Sequence, residues 1–207
     1  MKPIAIEDML GRERYATARD AIRRRIIAHK RVRRVAVGDR LSFLFEDRAT
    51  IWYQTQEMLW VEHTTDLDAI RAELAVYNAL LPGADELSAT LLIEIEDRRH
   101  LKEELNRLIG IDEHVTLEVG EDVRVPATFE AGRQTAEKIS AVQYVRFPLG
   151  REARDRIVAG APLTLAVAHP GYQVRARLTD DARASLAADL ADPAAADRAL
   201  REVRDGD

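Results

Sequence analysis

Apolar residues near the N-terminus recur at helical spacing. Tyr15, Ala18, Ile22, Ile26 and Ile27 fall within residues 13–30 and predict a helix that ends near Lys30. The period then changes. Val32, Val35 and Val37 predict a first strand and Leu41 to Phe45 a second, with Gly38-Asp39-Arg40 as the turn and Glu46-Asp47-Arg48 closing the hairpin. Ala49 to His63 runs without Gly or Pro, a length that favours helix over strand. Thr65-Asp66-Leu67-Asp68 has the form of a capping box with Thr65 as cap, followed by a helix with Leu67, Ile70, Leu74 and Tyr77 inward. That helix stops at Pro82-Gly83.

The second half alternates strands with short helices. Leu91, Leu92, Ile93 and Ile95 predict a strand, and Asp97 caps a helix that Gly110 ends. Val115 to Val125 reads as a hairpin turning at Gly120-Glu121-Asp122, and residues 130–138 as a polar loop. Strands follow at Ala141 to Phe147, Leu163 to Ala168 and Tyr172 to Leu178, with a helix at Glu152 to Ala159. Asp180 or Thr179 caps a further helix to Leu190. The pattern predicts an α+β fold, a mainly antiparallel sheet with helices packed on one side. Residues 1–190 form one domain, and 191–207 a charged, Ala-rich C-terminal tail or loosely docked helix.

Composition narrows the function classes. The 207 residues contain no cysteine, which excludes disulfides, a Cys nucleophile and cysteine-held metal clusters. No apolar run approaches the roughly 18 residues of a membrane span. The first residues lack the apolar core of a signal peptide, so a cytoplasmic location is expected. Net charge is −5, which makes nucleic acid an unlikely partner. Charge is nevertheless uneven. Residues 12–34 hold ten Arg and Lys against Glu13 and Asp20, which leaves −13 on the rest of the chain. Glu46 and Asp47 can absorb part of that basic density. The remainder, with Arg23, Arg24, Lys30 and Arg31 as candidate partner-binding residues, suits a homodimer interface or an acidic protein partner.

Candidate chemistry centres on Tyr53 to His63. Arg48, Tyr53, Gln54, Gln56 and Glu57 are polar positions in an otherwise apolar element, suited to a ligand site or a buried hydrogen-bond network. Tyr53, Glu57 and Trp60 share one helical face. Glu57, Glu62 and His63 have the donor types of an iron, manganese or zinc site, although Glu57 and Glu62 point differently on a straight helix. Glu96, His100 and Glu104 have helical spacing but sit in a solvated, ion-paired stretch. His169 lies in a turn, where it caps backbone groups, and His29 near a helix C-terminus, where the dipole favours it. Nucleotide-binding glycine motifs and Gly-x-Ser-x-Gly are absent, and the sequence leaves the cofactor, if any, unknown.

Several stretches taken together carry a resemblance. They are His29-Lys30 before Arg33-Arg34-Val35, the run FEDRATIWYQTQEML from Phe45 to Leu59, and Tyr77-Asn78 with Leu81-Pro82. Ile109-Gly110-Ile111, Ser140-Ala141-Val142, Gly160-Ala161-Pro162 and His169-Pro170 continue it in order. Over about residues 1–190 the chain resembles the bacterial domain-of-unknown-function family thirty-five-oh-one. The resemblance supplies no catalytic residue. It implies a genetic setting beside rubrerythrin-like di-iron proteins and iron–sulfur oxidoreductases. The function it suggests is a non-enzymatic accessory or adaptor in iron-linked redox or peroxide defence. The alternative is a metal- or small-ligand-binding protein, or an enzyme, with its site around Tyr53 to His63.

Overall fold

A computed structural model describes residues 1–95, 98–135, 137–192 and 194–206. Among them the chain forms α1 (Arg12–Arg31), β1 (Arg34–Val37), β2 (Leu41–Phe45), α2 (Arg48–Val61), α3 (Leu67–Asn78), β3 (Glu86–Ile93), α4 (Leu101–Asn106), β4 (Val115–Val119), β5 (Val123–Pro126) and β6 (Thr128–Phe129). It continues with β7 (Val142–Pro148), α5 (Gly150–Val158), β8 (Leu163–His169), β9 (Tyr172–Arg177), α6 (Asp180–Ala191) and α7 (Ala195–Asp205). The fold is α+β and every strand pair is antiparallel. The strands divide into two sheets, ordered β1-β2-β3-β7-β6 and β5-β4-β8-β9. Among the described residues no helix is long and apolar enough to cross a membrane.

Two cores follow from the sequence patterns. One lies between the sheets and under α5 and α6. Phe43, Phe45, Leu91, Val145 and Phe147 of the first sheet meet Leu117, Leu165 and Val167 of the second. Phe45 and Phe147 place their rings 6.0 Å apart. In β7 the alternation is complete, with Gln143, Val145 and Phe147 buried and the intervening residues half-buried. The second core is helical. Tyr15, Ile22 and Ile26 of α1 pack with Ile51 and Trp52 of α2 and with Leu200 and Val203 of α7. The two halves of Arg25's guanidinium group close the end of α7 by donating to the carbonyls of Val203 (2.8 Å) and Arg204 (3.1 Å).

Some boundaries differ from expectation for physical reasons. Asp66, not Thr65, caps α3, because its Oδ1 accepts from the N–H groups of Asp68 and Ala69. Strand β3 begins at Glu86, five residues before the apolar run that announces it. Its outward residues Ser88 and Thr90 are polar yet buried, which hides the alternation. Helix α4 is short, and Gly110 follows with φ of +91°, a conformation suited to glycine. The expected caps and ligand positions at Glu96 and Asp97 lie outside the described residues. Gly38 turns the first hairpin with φ of +72°, and a Cβ there would collide with the Tyr172 hydroxyl. That hydroxyl donates to the Val37 carbonyl at 2.8 Å and accepts from the Arg40 N–H at 3.2 Å, which ties β9 to the first sheet.

Candidate functional site

The run Phe45-Glu46-Asp47-Arg48 joins β2 to α2 and buries three consecutive ionisable side chains. Asp47 is the reason the helix starts there. Its Oδ1 accepts from the Thr50 N–H at 2.9 Å, and the Thr50 hydroxyl oxygen accepts from the Asp47 N–H at 2.9 Å. That reciprocal cap satisfies two backbone donors and fixes the chain direction. Each ionisable group then turns to a different set of partners.

Asp47 faces α1. Its Oδ2 lies 2.7 Å from His29 Nε2 and 3.5 Å from Arg33. Arg33 is 1% exposed and almost every donor it has is used. It donates to the carbonyls of Phe45 (3.0 Å) and Glu46 (3.2 Å), to Ser185 Oγ (2.8 Å) and to Asp189 Oδ2 (2.7 Å). Burial alone would raise the Asp47 carboxyl. The Arg33 charge and the His29 hydrogen bond outweigh burial and hold it below the usual carboxylate range. Asp189 is moved the other way, because burial and the Asp47 charge together exceed the pull of Arg33.

Glu46 faces the outer side of the first sheet. It accepts from the hydroxyls of Thr50 and Thr90, the latter at 2.5 Å, and from Gln54 Nε2 at 3.2 Å. A small cavity of about 20 Å³ reaches it past Thr90, Tyr144 and Arg146. Burial raises the Glu46 carboxyl despite those hydrogen bonds. Lys30 approaches from the last turn of α1 with its ammonium 5.2 Å from the centre of the Tyr53 ring. Burial lowers the Lys30 amine, and the Glu46 charge partly restores it. Arg48 faces the N-terminal segment and α7, pairing with Asp8 at 2.8 Å and with Asp197.

The remaining candidates on α2 sort by face. Tyr53, Glu57 and Trp60 all turn toward α1, as their spacing predicts. Glu57 accepts from the Tyr15 hydroxyl and takes both forks of Arg19, at 2.8 and 2.7 Å. The Arg19 hydrogen bond is the chief cause of its lowered carboxyl. Trp60 meets the Tyr15 ring edge-on at 5.9 Å. Gln56 turns away and clasps the Leu10 backbone, accepting from its N–H at 2.9 Å and donating to its carbonyl at 3.1 Å. The segment Tyr53 to Met58 is helical as expected, but only Thr55 and Gln56 are fully buried and its other residues are half-buried.

The suggested metal set is not brought together. Glu57 is held by Arg19 and Tyr15, while Glu62 and His63 are exposed past the end of α2. Among the described residues no three His, Asp or Glu groups are placed to hold a metal ion. Glu104 pairs with Arg40 and Arg107. His169 binds backbone on both sides, Nδ1 accepting from Gly171 N–H and Nε2 donating to the Ile109 carbonyl.

The basic helix divides. Arg19, Arg25 and the following Arg33 turn inward to the partners given above. Lys30, expected with the partner-binding set, also turns inward over Tyr53. Arg23, Arg24 and Arg31 remain exposed and, among the described residues, have no carboxylate within ion-pair distance. Ile27 lies among them with 58% of its surface exposed. The sequence reading missed Thr90, Tyr15 and Asp189 as partners of the buried charges. The Asp47–Thr50 spacing was a readable signal for the cap, but nothing local announces the long-range partners.

The sequence model of the family described as "Protein of unknown function (DUF3501)" matches residues 3–190, and the chain belongs to that family. A crystal structure described as a novel protein of unknown function from Burkholderia pseudomallei K96243 is 42% identical. The match covers 91% of this chain and 100% of that one, with a TM-score of 0.86. Among curated proteins nothing matches the chain.

Proposed function

We propose that this DUF3501 protein is a non-catalytic accessory protein that docks on an acidic protein partner through the outward face of α1. The observation that supports this reading is the division of the arginines. Those facing inward all find acceptors, whereas Arg23, Arg24 and Arg31 are exposed around the exposed Ile27 with no carboxylate of their own among the described residues. A ring of guanidinium groups around an apolar residue complements an acidic surface with an apolar centre. The acidic balance of the rest of the chain leaves the helix basic relative to its surroundings. The class of partner comes from the resemblance, whose genetic setting points to rubrerythrin-like di-iron or iron–sulfur redox proteins. The cysteine-free composition is in keeping with a cytoplasmic setting.

The test uses the purified chain and a rubrerythrin-like di-iron protein, the partner class that the resemblance suggests. Association is followed at about 50 mM and about 300 mM NaCl, conditions between which surface charge is increasingly screened. Arg23→Glu, Arg24→Glu and Arg31→Glu together should slow association about tenfold or more at low salt, and the wild-type rate should fall at high salt. A wild-type complex that forms at the same rate with the triple variant would sink the proposal. A salt-sensitive dimer of this chain, with no binding of the redox protein, would assign the face to a second copy instead.

A further inference from the structure

A second cavity, of about 270 Å³, lies between the N-terminal segment, the end of α2 and the start of α3. Its lining includes the apolar side chains of Met9, Leu59, Trp60 and Ile70. The polar wall residue Gln56 is already engaged on both sides by the Leu10 backbone, so it offers a ligand little. The hydroxyls of Thr64 and Thr65 make no hydrogen bond among the described residues.

Arg12 is the one ionisable residue of the described lining. Its guanidinium carbon sits 4.4 Å from the centre of the Trp60 ring. Among the described residues its side chain makes one hydrogen bond, a long one of 3.4 Å to the Trp60 carbonyl. Among the described residues it has no carboxylate partner. A cation stacked on an aromatic wall, with most of its donors unused, sits beside an apolar volume of this size. That arrangement matches a ligand with an apolar body and one negative charge. The volume exceeds the roughly 150 Å³ that accommodates benzene, which leaves room for one ring or a short chain with an acid group. A lone guanidinium fork matches a carboxylate bidentately, and one positive charge suits a monoanion better than a phosphate ester.

We propose that this cavity binds a small apolar monocarboxylate, its body against Trp60, Leu59 and Ile70 and its carboxylate on Arg12. The chain provides its own reporter, since it has two tryptophans and Trp52 is fully buried away from solvent. Phenylacetate and hexanoate are titrated by calorimetry and by tryptophan emission, with phenylacetamide as the uncharged control. At least one acid should bind with Kd below about 1 mM and change the emission. Arg12→Gln, at an exposed position, should weaken the acid about tenfold or more and leave the amide unchanged. Trp60→Leu should abolish the emission change while circular dichroism shows the fold retained. If neither acid binds at about 10 mM, or if the amide binds as tightly as the acid, the proposal falls. Acid binding that Arg12→Gln does not weaken overturns it equally.

Discussion

The inward and outward sides of α1 carry the same residue type in opposite circumstances. Arg33, just past the end of α1, is 1% exposed and held by two carboxylates, two carbonyls and a hydroxyl. Arg24 and Arg31, within ten residues of it, are exposed and unpaired by any carboxylate among the described residues. The helix alone does not create the difference. Asp47 and Asp189 come from the start of α2 and from α6, so the inward side is defined by long-range closure of the fold. A guanidinium group placed there must be fully paired, because an unpaired buried charge would be intolerable. The outward side has no such requirement, and a density of like charge there is free to serve association.

The sharpest way to break this comparison is to remove the inward charge. Arg33→Met preserves most of the volume but leaves Asp47 and Asp189 buried without their cation. Breaking a buried pair in this way should cost about 3–5 kcal/mol in urea denaturation. A loss under about 1 kcal/mol would show that the inward pairing contributes no more than an ordinary surface pair. An intermediate case is Glu57, whose side chain is 22% exposed. Glu57→Ala strands the buried Tyr15 hydroxyl and releases Arg19, so a cost of about 1–3 kcal/mol is expected. Thermal melting unchanged from wild type would mean that water replaces the carboxylate without loss.

Glu46 and Asp47 sharpen the comparison within two adjacent residues, since their carboxyls are shifted in opposite directions. For Glu46 the folded value lies above the unfolded one, so the native state binds its proton first. Its contribution to stability therefore falls as pH rises through the folded value, and grows as pH drops toward the ordinary glutamate value of about 4.3. Glu46→Gln lacks that term. The stability of wild type relative to this variant should rise between neutral pH and about pH 5. Asp47 has the reverse sign. Its contribution is present above the unfolded value and is lost only as pH falls below the usual carboxylate range. A flat difference between wild type and Glu46→Gln would indicate that Glu46 keeps an ordinary carboxyl.

These contrasts explain how much the sequence disclosed. Local periodicity located α1 and most strands, because each buries a face whose apolar spacing is visible, whereas α2 was legible from a run of 15 residues without Gly or Pro. It also placed Tyr53, Glu57 and Trp60 on one side of α2. It did not reveal that the strands form two sheets, since pairing partners are chosen by long-range packing. Strand β3 began unseen for a related reason, as Ser88 and Thr90 are buried beside Glu46 rather than solvated. The charge count found a basic helix and suggested Glu46 and Asp47 as its internal acids. Asp47 does pair with Arg33, while Glu46 acts on Lys30 without reaching ion-pair distance. Which arginines turned inward depended on Asp189, far along the chain, and on the carbonyls at the end of α7.

The smallest effect is expected on the outward face, and its size carries most of the functional argument. Arg23 and Arg24 lie mid-helix, exposed, and touch no carboxylate among the described residues, so replacing them should alter stability by no more than about 0.5 kcal/mol each. Arg31 differs slightly because it ends α1, where a cation is favoured by the helix dipole. Its replacement by Glu should cost about 0.3–1 kcal/mol, a loss that salt reduces. Relief of repulsion among Arg23, Arg24 and Arg31 offsets part of this. The combined triple variant should therefore unfold within about 1 kcal/mol of wild type in urea, far from the cost of Arg33→Met. A loss above about 2 kcal/mol would mean that these arginines hold the fold together. Any fall in association measured with that variant would then report damage to the protein, not the removal of a docking surface.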